Sequence, residues 1–200
     1  MNPLKSTSWL SENIGKVKIL DATWHMPNSN RSALEEFQES HIESSIFFDL
    51  DKNSSIDTDL PHMLTDINSW ELIMNSMGIS NEDEIVIYDN SDVISSCRCW
   101  YNLIYFGHDP KLVHVLDGGL KKWKSENKVT NTEIRPTLTS NYKAIEIKKL
   151  VKNKQEIDKN ITLNEFKVID ARSRERFKGK VPEPRKGLRS GSIKDSLCLP

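Results

Sequence analysis

Cysteine is scarce in this chain of 200 residues: there are three, and two of them, Cys97 and Cys99, are separated by a single residue. An odd number placed this way builds no disulfide framework and favours a reducing compartment. Long apolar runs are missing as well. The first residues, MNPLKSTSWLSENIG, hold nothing resembling a secretory leader, and no stretch approaches the length of a membrane span. The expectation is a cytoplasmic protein with no membrane partner, an organelle remaining open. Excess charge is also missing, with 28 Lys and Arg against 29 Asp and Glu. At a net charge of -1, no global field draws in nucleic acid. No metal is expected either, because Cys-x-Cys with scattered histidines leaves a site short of ligands.

What is present is a lean but sufficient core, 36% hydrophobic with five Trp and six Phe, in a chain long enough for one domain and part of another. Short apolar runs alternate with helical periods. Strands are expected at 17–21, 46–48, 84–88 and 112–116. Helices are expected at 9–14 with Ser8 as cap, at 33–39 after Ser32, at 67–77 before Gly78, at 95–106 before Gly107, and from Leu120 onward. This alternation predicts an α/β fold, a parallel sheet with helices on both faces. From 124 to 141 the pattern fails, and helical spacing resumes at Ala144. The organisation expected is a domain over 1–125, a linker over 126–143, and the beginning of a second domain over 144–200.

Two segments are alike. Lys18-Ile19-Leu20-Asp21-Ala22-Thr23 matches Lys167-Val168-Ile169-Asp170-Ala171-Arg172, and His41 to Ile46 matches Ser192 to Leu197. Paired matches so far apart indicate a duplicated domain rather than a short solenoid repeat. The later copy, expected to start with a buried strand over 167–170, carries Arg172, Arg174, Arg176 and Arg185 around Pro182 and Pro184. Guanidiniums in a proline-stiffened loop suit a small anion gripped through forked hydrogen bonds. Charge count alone favours a solvated basic loop, and the likeness to the earlier segment is what argues against it.

At these residues the chain resembles the two-domain rhodaneses, and within them the 3-mercaptopyruvate and thiosulfate sulfurtransferases. The resemblance rests on Leu20 to His25, His41-Ile42, Phe47 to Asp51, Pro61 to Leu64, Val86 to Asp89, Ser95 to Trp100, Phe106 to His108, Val115 to Gly119 with Trp123, and Pro182 to Arg185. It implies a rhodanese-like sheet, one complete domain plus the start of a second. It also implies a sulfurtransferase that carries sulfane sulfur from 3-mercaptopyruvate or thiosulfate through a cysteine persulfide to cyanide or a thiol such as thioredoxin, with no cofactor.

The resemblance places the family's catalytic cysteine first in the loop after a strand, and here that position in the first domain holds Asp89. A carboxylate cannot carry sulfane sulfur, so the first domain is expected to be non-catalytic and the nucleophile to lie beyond Pro200. Cys97, Cys99 and Cys198 are read as structural, the first two as buried core thiols. Arg176 and Arg185 match the pair that holds the substrate carboxylate. Asp51 and His62 match residues that assist catalysis, a carboxylate being suited to fix an imidazole tautomer. Without the resemblance, His62 after Pro61 reads as the start of a helix. Arg98 is read as a tether between domains, and His25, His41, His108 and His114 as structural. A second function stays open, a non-catalytic module that binds an anion or a protein. Phosphatase chemistry would need a Cys-x5-Arg loop, which the chain lacks.

Overall fold

The computed structural model describes residues 2–184 and 187–200. The chain forms two compact units, Met1–Lys148 and Lys149–Pro200. The first is built on a five-stranded parallel sheet. In chain order its elements are β1 (Leu4–Lys5), α1 (Thr7–Asn13), β2 (Lys18–Asp21), α2 (Ala33–Glu39), β3 (His41–Ile42), β4 (Ser45–Phe47), α3 (Ile67–Ser76), β5 (Ile85–Tyr88), α4 (Ser96–Tyr105), β6 (Val113–Leu116), α5 (Gly119–Ser125) and β7 (Thr130–Asn131). The sheet order is β1-β6-β5-β2-β4, while β3 and β7 form a separate antiparallel pair.

The central strand explains the two-sided cover. All four residues of β5 are buried, and a strand points successive side chains to opposite faces. Ile85 and Ile87 join Leu20, Phe48, Trp70, Met74, Cys99 and Leu103 on one face, where α3 and α4 pack. Val86 and Tyr88 join Ile19, Leu10, Leu120 and Trp123 on the other, where α1 and α5 pack. An unbroken apolar run is therefore the signature of a strand buried on both sides. The expected α/β architecture is the one observed.

Three boundaries differ from expectation. The opening helix starts at Thr7, because Ser6 rather than Ser8 accepts the N–H of Trp9, at 3.1 Å. The stretch 126–143 is not a free linker, since β7 pairs with β3 and Tyr142 is fully buried in the core of the first unit. The helix expected from Ala144 begins only at Lys154. The Glu71 carboxylate accepts the N–H of Ala144 at 2.9 Å, and Ile145 and Ile147 donate to the last carbonyls of α4. Irregular backbone that bonds to side chains and helix ends leaves no period in the sequence, so it reads as a linker.

After a single turn at Lys148–Leu150, the second unit contains α6 (Lys154–Leu163), β8 (Ile169–Asp170), α7 (Arg174–Phe177) and β9 (Leu197–Cys198). A capping box between Asn153 and Glu156 starts α6. The strand expected to be buried is not. Ile169 is 58% exposed, because β8 pairs only with β9 and no described residue covers that face.

The two strand pairs share local geometry. Leu20 pairs with Ile46 as Ile169 pairs with Leu197, both in parallel. The carbonyl of Asp21 accepts from Phe48 at 2.8 Å, and that of Asp170 from Leu199 at 2.9 Å. Ser44 and Asp195, at matching places before the second strand, both take positive φ (63° and 60°).

Candidate functional site

In an open parallel sheet, ligand chemistry gathers at the carboxyl ends of strands, where the next helix presents free N–H groups. At the end of β5 those donors are already used. The Asp89 carboxylate accepts from the N–H of Ser96 at 2.7 Å and from the N–H of Ser91 at 3.2 Å. The leading turn of α4 is thus closed around an anion of its own chain. The Asp89 carbonyl accepts from Leu120 at 2.9 Å. Gly119 approaches so closely (φ 56°) that a Cβ there would lie 2.5 Å from that oxygen.

Beside this loop, the structure brings Asp51 and His62 together. Nε2 of His62 lies 2.7 Å from Oδ1 of Asp51. The carboxylate can only accept, so Nε2 carries the hydrogen and Nδ1 is left as the acceptor of the neutral ring. Two further residues complete the group. The indole N–H of Trp24 donates to both Asp51 oxygens, at 3.1 and 3.2 Å. Its ring meets His62 edge-on, with centroids 4.8 Å apart. Arg98 donates from Nη2 to the carbonyl of His62. His62 has a left-handed backbone (φ 56°), which costs a non-glycine residue roughly 1–2 kcal/mol, so this contact holds a strained residue in place. Trp24, His62, Met63, Ile94 and Arg98 line an open depression of about 380 Å³.

The second unit carries a separate ionic cluster. Arg172 donates to both Asp170 oxygens, to Glu183 at 2.7 Å and to the Gly191 carbonyl at 2.7 Å. Arg176 donates to the other Glu183 oxygen through Nε, at 3.2 Å, and through Nη2. The Arg172 bond holds the Asp170 carboxyl below its ordinary range, and the Arg176 bond does the same for Glu183. Arg172 is therefore structural. Arg176, assigned to a substrate carboxylate, is engaged by a carboxylate of its own chain. Arg185 lies outside the described residues. Arg189, which the sequence reading did not single out, stands exposed beside Arg172, Glu183 and Ser192 on an open cavity of about 530 Å³.

The cysteines divide differently from expectation. Cys99 is buried, and desolvation pushes its thiol well up. Cys97 is exposed rather than buried, and its thiol is pushed up by partial desolvation and by the Asp89 charge, so neither is set up as a thiolate. Cys198 sits half-buried on β9. The histidines read as structural have structural partners. His41 binds the carbonyls of Phe37 and Glu133 and His108 that of Asp83, while Nε2 of His25 lies 3.2 Å from the Glu36 carboxylate and that of His114 3.0 Å from Glu84. Among the described residues no group of three or more His, Cys, Asp or Glu could hold a metal.

Sequence reasoning located Asp51 and His62 but missed Trp24 and Glu183. The signal for Glu183 was its place between two prolines. For Trp24 there was none beyond its neighbours, because its partner is 27 residues away.

The family profile described as a rhodanese-like domain matches residues 6–126. The chain is 36% identical to thiosulfate/3-mercaptopyruvate sulfurtransferase 1, mitochondrial, of Arabidopsis thaliana, over 99% of this chain and 58% of that protein. It is 34% identical to the 3-mercaptopyruvate sulfurtransferase of Rattus norvegicus, over 98% of this chain and 68% of the relative. Among solved structures, the 3-mercaptopyruvate sulfotransferase SseA of Escherichia coli matches with a TM-score of 0.89 at 26% identity, covering 100% of this chain and 75% of its own. The chain thus spans only 58% and 64% of the length of the two Arabidopsis sulfurtransferases it matches.

Proposed function

Because the chain belongs to the rhodanese family, we propose that it serves a sulfurtransferase, supplying accessory groups while a cysteine outside these 200 residues supplies the nucleophile. The donor is 3-mercaptopyruvate or thiosulfate. In the first case the thiolate attacks the substrate sulfur, the carbon–sulfur bond breaks, and the pyruvate enolate leaves and takes up a proton. An acceptor thiolate, of thioredoxin for example, or cyanide then removes the outer sulfur of the persulfide and regenerates the thiolate. No cofactor or metal enters this scheme. Asp51 and His62 are suited to move the proton, and Arg176 and Arg185 are assigned to the substrate carboxylate. For Arg176 this requires sharing its guanidinium with Glu183.

The observation that carries the reading is the identity to named sulfurtransferases over 99% of the chain. The Asp51–His62 bond supports it. The shared strand register and the matching turns at Ser44 and Asp195 support a duplicated domain. Asp89, in place of a thiol, supports a non-catalytic first domain. The net charge of -1 speaks against nucleic-acid or membrane partners, and cysteine usage favours a cytoplasmic location.

The test is an assay for pyruvate release from 3-mercaptopyruvate and for sulfite release from thiosulfate, together with intact mass, on protein isolated from its own source. Release by a protein heavier than 23.0 kDa is expected. No release from either donor at any mass would overturn the proposal. It would favour the second reading, a binding module, for which the self-occupied Asp89 loop is the specific observation.

A further inference from the structure

The Asp51 side of the Asp51–His62 pair stands in the open, its side chain 67% exposed against 22% for His62. A contact between ionisable groups at that exposure competes with water and counts for little by itself. A pair that must present one ring nitrogen needs a rigid third partner. We propose that Trp24 is a positioning residue, orienting the Asp51 carboxylate so that it selects the Nε2–H tautomer of His62 and leaves Nδ1 as the proton acceptor.

Three observations carry this. One indole N–H spans both Asp51 oxygens, at 3.1 and 3.2 Å, which fixes the plane of the carboxylate and not only its distance. The same indole ring packs edge-on against His62, at an interplanar angle of 85°, so one side chain restrains both members of the pair. Trp24 is itself anchored. Its backbone N–H donates to the Ser91 hydroxyl at 2.9 Å and to that of Ser95 at 3.1 Å, and its carbonyl accepts from Ser91 at 2.6 Å. Its ring packs on the apolar core. A side chain with two torsions, seated on a core and tied at its backbone, orients an exposed carboxylate at little entropic cost. Arg98 completes the restraint from the backbone side through the His62 carbonyl.

The inference rests on the sulfurtransferase reading only for what the proton acceptor does, not for how it is held. Its test is therefore read first by nitrogen NMR of the His62 ring in the 200-residue chain, near pH 8.5, where an unperturbed imidazole is neutral. The wild type is expected to show the Nε2–H tautomer. Trp24→Phe, and replacement of Trp24 by benzothienylalanine, an isostere without the N–H that keeps the ring volume, are expected to convert it to a mixture, as is Asp51→Asn. If both Trp24 replacements keep the wild-type tautomer, or if the wild type is already a mixture, the inference is overturned.

The second readout is sulfur transfer by the full protein. Trp24→Phe should lower kcat about tenfold at unchanged KM, the signature of a misplaced catalytic group. A wild type that transfers no sulfur yet shows the expected tautomers sinks the functional reading and leaves Trp24 as the positioning residue. An active protein whose Trp24 variants keep the wild-type tautomer sinks this inference alone.

Discussion

The Asp89 carboxylate accepts the backbone N–H of Ser96 at 2.7 Å and so occupies the mouth of α4. Where a rhodanese thiolate would draw on such donors, this domain spends them on its own side chain. The side chains proposed to assist the reaction are those of the neighbouring Asp51–His62 pair, whose Nε2–Oδ1 distance is 2.7 Å.

Asp89→Ala should accordingly act as the loss of a helix cap. A destabilisation of about 1 kcal/mol is expected in denaturant unfolding, while Asp89→Asn, which keeps an acceptor, should lose less. Equal loss in the two variants would mean that capping is not what Asp89 contributes.

Gly119→Ala places a Cβ 2.5 Å from the Asp89 carbonyl at a positive φ. Steric and backbone strain together should lower stability by roughly 1–3 kcal/mol, read as a fall in melting temperature. Gly15, also at positive φ but with nothing within 4 Å, isolates the backbone part of the cost.

Tyr142→Ala discriminates between a linker and a strap. A linker residue would tolerate truncation, whereas the fully buried Tyr142 should cost about 3–5 kcal/mol. Unfolding midpoints within experimental error of wild type would return 126–143 to the status of linker.

Acid should loosen the second unit. Asp170 and Glu183 are held below their ordinary values of 3.8 and 4.5, first by Arg172 and first by Arg176 respectively. A depressed carboxyl contributes stability that is complete above its unfolded value and is lost as pH falls through the folded one. Amide exchange across 170–198 should therefore accelerate as pH drops below about 4, after correction for intrinsic exchange, and high salt should have the same direction of effect. Protection that ignores both would mean the cluster does not hold this unit.

Within the sulfurtransferase reading, His62→Ala and Arg176→Gln should separate in kinetics. Loss of the proton-transfer group should lower kcat by roughly 10²-fold, whereas loss of a carboxylate anchor should appear mainly in KM. Parallel effects on both constants would show that the two residues do not have these distinct roles.

Much of the fold was legible because its signals are local. Ser32 caps α2 where the Ser-x-x-Glu spacing says it should, through the N–H of Glu35. The Ile-Val-Ile-Tyr run of β5 could only be a strand buried on both faces. The capping box at Asn153 and Glu156 was equally readable, but helical spacing from Ala144 obscured it. Tyr142 was not legible, because its burial depends on Asn75 and Glu71 receiving the backbone around it, and such contacts have no period.

The candidate site divides in the same way. Residue types and their order along the chain were enough to identify the family, to place Asp89 where a thiol would stand, and to single out Asp51, His62 and the basic loop. Geometry across the chain settled the rest: that Trp24 clasps Asp51, that Glu183 engages Arg176, and that Arg98 serves the His62 carbonyl. Pattern along a chain records which face of an element is apolar and where it begins, since those depend on near neighbours. Which carboxylate meets which donor depends on where separate loops converge, and that is a property of the packed sheet.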